Sequence, residues 1–387
     1  MKPRHLVVLS VSAGAGHVRA AAAVCAQARA AGMQATHIDV LQRSPRWFVW
    51  LYADLYALLV NRAPLLWAWL YGRMNHRDHR APAHHGLAQR CRRRLERHVS
   101  ARWLREVAAL APDAIVCTHF LPAEVLAATA VTRAPVFIHV TDFDLHAMWV
   151  QPAVAGYFVA CDEVAFQLRR AGVAAGHIVV SGLAVMSTFD IPVPAAARGD
   201  DDAATPPTVL LMGGGGGFGG LESVAEQLLS AADDFTLVVV AGRNARALTA
   251  LQVMAPRWGT RLVAVGYTDQ VAQLMANAAI VITKPGGLTT AECLAVGVAM
   301  IVNAPIPGQE ERNADYLLEQ GVALKAINAA TLAWRLRTLL DHPQQRRRMA
   351  GQARALGRPG AARQIVEAIA CHLSTECMTD SKAAPCH

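Results

Sequence analysis

Apolar runs alternate with Ala-rich or amphipathic stretches through most of the chain, and glycines punctuate the joins. HLVVLSVS (5–12) is apolar almost throughout, the pattern of a strand buried on both faces. A Gly-rich turn follows it, then an Ala-rich segment that predicts a helix over about 17–31, ended by Gly32. MQATHIDVL (33–41), DAIVCTHF (113–120), PVFIHVTDF (135–143), GYFVAC (156–161) and HIVVSGL (177–183) continue as strands, with helices predicted near 121–130 and 162–171. Strands alternating with helices imply a doubly wound parallel sheet.

The pattern stops at 190–208, DIPVPAAARGDDDAATPPT, where prolines and consecutive aspartates leave nothing to pack. A second series then begins: strands at 208–214, 236–242, 261–267, 279–283 and 299–305, with helices over 219–232, 245–254, 268–277, from about 289, and over 309–320. The expectation is an α/β protein of two Rossmann-like domains facing a cleft: residues 1–190, a linker at 191–207, residues 208–370, and a tail at 371–387. Ligands of open α/β sheets bind beyond the carboxyl ends of the strands, so the loops there are the candidate sites.

Composition adjusts this picture in a few places. Hydrophobic residues form 53% of the 387 and charged residues 17%, which excludes a disordered chain. The net charge of +8 points to an anionic partner or a basic solvated surface. The eight cysteines form no CxxC pair and several lie inside apolar runs, so they read as buried thiols of a reducing compartment. The apolar start passes straight into a Gly-rich turn and reads as a first strand, not a signal peptide. The aromatic stretch 47–71 is broken by Asp54, Asn61, Arg62 and Pro64, which argues against a membrane span.

Six segments at predicted strand ends carry candidate chemistry. SAGAGH (12–17) offers tight turning and free amides at a helix start, with His17 at the corner. Arg19 stands where a dinucleotide fingerprint needs its third glycine, although Asp39 closes the second strand where a ribose ligand would sit. MGGGGGFGG (212–220) reads as a cradle of bare amides for a diphosphate, with Gly213, Gly214, Gly215, Gly216 and Gly217 at its heart. KPGGLTTAECLAVG (284–297) delivers Lys284, Gly286 and Gly287 to a second helix start, with Glu292 a turn later for ribose hydroxyls. APIPGQEERNADYL (304–317) places Gln309 and Glu310 to meet a polyhydroxylated sugar. HVTDFDLHAMW (139–149) holds a DxD that suits a divalent cation; alternatively Asp142 orients His17 or meets an acceptor. His119, in CTHF, ends the neighbouring strand.

Taken in order, SAGAGHVRAAAA, VTDFDLHAMW, MGGGGGFG, TKPGGLTTAE and PIPGQEERNADYL resemble the monogalactosyldiacylglycerol synthases and the bacterial processive diacylglycerol glucosyltransferases, which are glycosyltransferase family 28 enzymes. The resemblance runs from about residue 5 to 370. It implies a GT-B fold, inverting hexosyl transfer from a UDP-sugar to a lipid, no cofactor and no bound metal. It matches His17 to the general base, with Asp142 as a second catalytic candidate. It places Gly213–Gly217 and Lys284–Thr289, Leu288 included, around the diphosphate, and Glu292 at the ribose. Gln309 and Glu310 fall at the sugar, with Asn313 in the same donor-side motif; Gly242, Arg243, Gly266 and Tyr267 line the nucleotide pocket. His119, His146 and Trp149 fall on the acceptor side. A polyprenyl-linked acceptor, a UDP-sugar epimerase of the same fold and a catalytically idle binding protein are the rival readings.

The segment after the second strand has its own signature. Trp47, Trp50, Tyr52, Tyr56, Trp67, Trp69 and Tyr71 precede a stretch, 73–105, with ten Arg and two acidic residues. Aromatics followed by a cationic helix suit docking on an anionic lipid surface. The expected location is the cytoplasmic face of the membrane, held peripherally. Nucleic acid would use similar charge, but the sugar-nucleotide motifs argue against it.

Overall fold

The computed structural model describes residues 3–75, 87–129, 131–190, 206–213 and 220–382. The chain divides into two compact units, Ser187–Pro359 and the remainder, so the first unit takes back residues 360–387.

The first unit is one six-stranded parallel sheet in the order β2-β1-β3-β4-β5-β6. Its strands are β1 (His5–Ser10), β2 (Gln34–Asp39), β3 (Ala114–Cys117), β4 (Val136–His139), β5 (Gly156–Val159) and β6 (Ile178–Val180). β1 is buried at every position and sits between β2 and β3, which explains its unbroken apolar run. Helix α1 (Ala15–Ala30) follows β1. Between β2 and β3 stand the short helix α2 (Arg46–Val49), a π-helical turn at Trp50–Asp54, α3 (Leu55–Arg62), α4 (Pro64–Asn75) and the long α5 (Leu87–Leu110). α6 (Phe120–Thr129) and α7 (Asp162–Arg170) complete the crossovers. Apolar side chains fill both faces of this sheet.

The second unit is another six-stranded parallel sheet, in the order β12-β11-β10-β7-β8-β9. Its strands are β7 (Thr208–Met212), β8 (Thr236–Val240), β9 (Leu262–Val265), β10 (Ile280–Thr283), β11 (Ala299–Asn303) and β12 (Ala323–Ala326). They are linked by α8 (Leu221–Ala231), α9 (Ala245–Trp258), α10 (Val271–Ala276), α11 (Gly287–Val296) and α12 (Gln309–Glu319); α13 (Ala329–Asp341) and α14 (Pro343–Leu356) follow β12. A sixth strand thus lies beyond the predicted series.

The expected boundary at residue 370 is corrected. α15 (Ala361–Lys382) runs as one helix through it, and Ala362, Ile365, Val366 and Ile369 are buried in a cluster with Leu6, Val8, Ala21 and Val24. Arg4 fastens its outer side by donating to the Ala370 carbonyl at 2.8 Å and to Ser374 Oγ at 3.1 Å. An apolar stripe that would otherwise face water drives this return.

Both strand orders reverse direction once. The switch lies between β1 and β3 in the first unit and between β7 and β10 in the second. At such a point the two flanking loops leave in opposite directions and open a crevice at the carboxyl edge. The loops at these switches are SAGAGH with Thr118–His119, and the Gly213 loop with Lys284–Gly287.

Candidate functional site

In the first unit the crevice is lined by imidazoles and aromatic rings. α1 starts at Ala15 with Gly14 as its cap, so His17 sits in the first turn. The ring Nδ1 meets the Thr118 carbonyl at 2.8 Å and the Thr141 hydroxyl at 3.0 Å. A carbonyl only accepts, so Nδ1 carries the ring proton and Nε2 presents a lone pair. Thr118 also donates its hydroxyl to the His17 carbonyl at 2.9 Å, which ties the two loops together. Burial by neighbouring rings lowers the His17 pKa to about 4, against the raising effect of the Thr118 carbonyl. His17 is therefore a neutral imidazole at pH 7.

The contacts of the His17 ring with Thr118 and Thr141 leave Asp142 to its other expected place, on the acceptor side. Asp142 sits half-buried one residue beyond Thr141. Asp144 accepts from Gln167 Nε2 at 2.8 Å while Leu145 N–H donates to Gln167 Oε1, so the second aspartate of the DxD braces its own loop. Asp39 anchors the Gly-rich loop, accepting from the Ser12 and Leu41 amides.

His119 lies edge-on to His17, ring centroids 4.7 Å apart. Two further candidates are enclosed by rings. Trp149 is 2% exposed and packs 5.7 Å from Phe120 and 6.1 Å from His119, a floor under the histidines. His146 is 5% exposed and lies tilted against the Tyr71 ring, centroids 4.5 Å apart, and Asn75 Oδ1 accepts from Ala147 N–H at 2.8 Å. His146 thus joins α4 to the loop that carries Thr141. The aromatic segment divides by face. Trp47, Trp50 and Trp69 stand 46%, 58% and 60% exposed, while Tyr52 reaches inward to His119 at 6.1 Å. The side chains of Tyr56 and of the basic run 90–97 lie outside the described residues.

In the second unit the crevice is lined by loop backbone, apolar side chains and the charged Lys284. Gly213, Gly220, Thr283, Lys284, Asn303 and Ala304 line a cavity of about 190 Å³ between the ends of β7, β10 and β11. Gly214, Gly215, Gly216 and Gly217 lie outside the described residues. α11 begins at Gly287, so the amides of Gly287, Leu288 and Thr289 have no intrahelical acceptor, a ready anion site. The Leu288 side chain is buried, so only its backbone is available to a ligand.

Lys284 and Glu310 face each other electrostatically. Burial lowers the lysine pKa, and the Glu310 carboxylate opposes that shift only in part. Burial raises the Glu310 pKa, and the Ile306 amide and Lys284 lower it. The Ile306 amide donates to Glu310 Oε2 at 2.7 Å, which fixes this carboxylate at the start of α12 beside Gln309. A side chain at Gly286 would approach Glu310 Oε1 at 3.8 Å, so the loop and the carboxylate are neighbours.

Glu292 is 1% exposed, a turn below the α11 start. Asn313 is fully buried and its Nδ2 donates to the Pro285 carbonyl at 3.1 Å, so it braces the KPGG loop. Gly242 (φ 60°) follows β8, and the exposed Arg243 lies over the Tyr267 ring at 4.8 Å, beside Gly266. Ala304 was missing from the candidates. It holds a left-handed φ of 46° at the end of β11, a strained state for a residue with a Cβ.

Residues 17–185 match the family model described as monogalactosyldiacylglycerol (MGDG) synthase, and residues 208–365 match the glycosyltransferase family 28 C-terminal domain. The two matches follow one another along the chain. The MGDG synthase match holds His17, His119 and Thr141, and the family 28 match holds Gly213, Lys284 and Glu310. Among curated proteins it is 30% identical to the processive diacylglycerol beta-glucosyltransferase of Bacillus mycoides (strain KBAB4) over 237 residues, 61% of each chain. The Bacillus subtilis (strain 168) protein of the same name is 30% identical over 192 residues, 49% of this chain and 50% of that one. The match thus spans about three fifths or less of these relatives. Among solved structures, Acinetobacter baumannii MurG superposes with a TM-score of 0.63 at 18% identity, over 95% of this chain and 99% of its own. Anabaena HepE in complex with UDP-glucose gives 0.52 at 15% identity, over 96% and 99%. These likenesses support the GT-B fold of two Rossmann-like domains.

Proposed function

We propose that the protein is an inverting hexosyltransferase that moves a sugar from a UDP-sugar to the free hydroxyl of diacylglycerol. The observation that carries the reading is the His17 ring, whose Nδ1–H is pinned to a carbonyl so that Nε2 can accept a proton. Inverting transfer is an in-line displacement: the acceptor oxygen attacks the anomeric carbon as the bond to UDP breaks. His17 takes the acceptor proton, a contribution of roughly 10²–10⁴ in rate. The departing diphosphate needs fixed positive potential. The amides at the start of α11, Gly213 and Lys284 supply it without a metal ion. Glu292, Gln309 and Glu310 serve the ribose and hexose hydroxyls, and Arg243 with Tyr267 the base. Asp142 serves the acceptor side. The diacylglycerol-acting names of the relatives support the acceptor.

The acceptor lives in a bilayer. No helix among the described residues is long and apolar enough to cross one. Trp47, Trp50, Leu65 (85% exposed) and Trp69 are exposed and suit entry into the interface, and the arginine-rich sequence 73–105 suits attraction to anionic lipid. The protein is then peripheral, on the leaflet that faces its UDP-sugar.

The test is product formation. Purified protein, diacylglycerol vesicles and UDP-glucose or UDP-galactose should yield hexosyl-diacylglycerol and UDP, read by mass spectrometry. Conversion of the UDP-sugar with no lipid product, or transfer to a polyprenyl-linked acceptor alone, would replace the reading.

A further inference from the structure

Two adjacent histidines in the first unit are held in opposite tautomers by the backbone. His17 gives its Nδ1–H to the Thr118 carbonyl, so its Nε2 is bare. His119 receives the Leu121 amide N–H on Nδ1 at 3.1 Å, so its proton is on Nε2. One ring thus offers a lone pair and its neighbour offers a donor, with ring centroids 4.7 Å apart and planes at 80°. Neither Nε2 meets a hydrogen-bond partner among the described residues. Burial holds both rings neutral: it lowers the His119 pKa well below that of a free imidazole, and His17 lowers it further. A third buried histidine shows the contrast. His139 fills both nitrogens within the fold, receiving the Ala184 amide at 3.0 Å and facing the Phe158 carbonyl at 3.3 Å. It is a structural residue; the His17–His119 pair is left with one acceptor and one donor to spend.

An attacking hydroxyl needs a base for its proton, and its oxygen needs a lone pair for the new bond. A donor aimed at that oxygen would draw electron density from it and weaken the attack. The His119 donor therefore fits a second oxygen, on the carbon next to the one that bears the hydroxyl. We infer that His119 donates from Nε2–H to an oxygen vicinal to the reacting hydroxyl, so that the two histidines together read an O–C–C–O unit such as the free hydroxyl and adjacent ester oxygen of a diacylglycerol. This rests on the transferase reading above. The pair is a specificity device: an acceptor lacking the second oxygen leaves a desolvated N–H unpaired, which costs binding. His119 is the donor, Leu121 N–H and Thr118 C=O the groups that set the two tautomers.

Two measurements on the full chain test this. Long-range ¹H–¹⁵N spectra of the histidine rings at pH 7 should show His17 protonated on Nδ1 and His119 on Nε2. The same tautomer in both rings, or the reverse assignment, overturns the inference. In those spectra a short-chain diacylglycerol should shift the His119 Nε2–H signal, and a monohydric alcohol of equal chain length should not; a shift with both or with neither also overturns it. This arm needs no turnover, so it stands apart from the transferase reading, which fails if no hexosyl lipid forms. In turnover, His119→Ala should lower kcat/KM for diacylglycerol about tenfold to a hundredfold and spare the simple alcohol. His119→Gln, which keeps a donor at the same reach, should recover part of the loss. Equal losses on both acceptors would reduce His119 to a packing residue.

Discussion

The two units share an architecture and differ in what lines their switch points. The first presents His17, His119 and a floor of aromatic rings between β1 and β3. The second presents Gly213 and Lys284 between β7 and β10, with the α11 start next along the chain and Glu310 acting electrostatically on the lysine. The fold supplies the same crevice twice, and loop composition decides its chemistry. Imidazoles can gain and lose a proton near neutral pH; peptide amides cannot, but they hold an anion without titrating. Proton handling and phosphate holding are thereby assigned to different halves of one chain.

That division can be attacked from either side. The largest effect is expected from His17→Ala. Turnover should fall by about 10²–10⁴ while UDP affinity stays within about twofold, read by steady-state kinetics and calorimetry. A variant that loses UDP affinity and keeps turnover would reverse the assignment.

Acid should next separate the units. His17 and His139 have folded pKa values of about 4 against 6.5 when unfolded. A depressed folded pKa contributes stability above the unfolded value, and that stability is lost as pH falls from 6.5 toward 4. For the fully buried His139 alone the loss is on the order of 3 kcal/mol. Hydrogen exchange followed by mass spectrometry should show β3–β5 losing protection over this window, with β7, β10 and β11 nearly unaffected.

A smaller effect is expected from Lys284→Met. Removing one charge from the phosphate side should weaken UDP binding by about tenfold. The acid response of the first unit should not change.

Much of this was legible in the sequence, and the gaps have physical reasons. Buried parallel strands and Gly-rich corners are local patterns, so HLVVLSVS, MGGGGGFGG and KPGGLTT revealed both sheets and their edges. Burial is not local. His146 and Trp149 share a segment with Asp142 and look equally available, yet they are enclosed by Tyr71, Phe120 and His119. The same holds for α15, whose apolar stripe finds its partners on β1 and α1, more than three hundred residues earlier. The short β12, ALKA, carries a lysine and lacks a strand signature. The groups that orient His17 include a main-chain carbonyl, which no residue type announces.

The central claim is that the second unit's peptide amides hold the diphosphate and the first unit's histidine does not. Hydrogen exchange of the full chain with and without UDP reads this directly, amide by amide. The account predicts the strongest slowing at Gly213 and Lys284–Thr289, with Ser12–His17 and Thr118–His119 much less affected. Slowing confined to Ser12–His17, with the 284–289 loop unchanged, would contradict it.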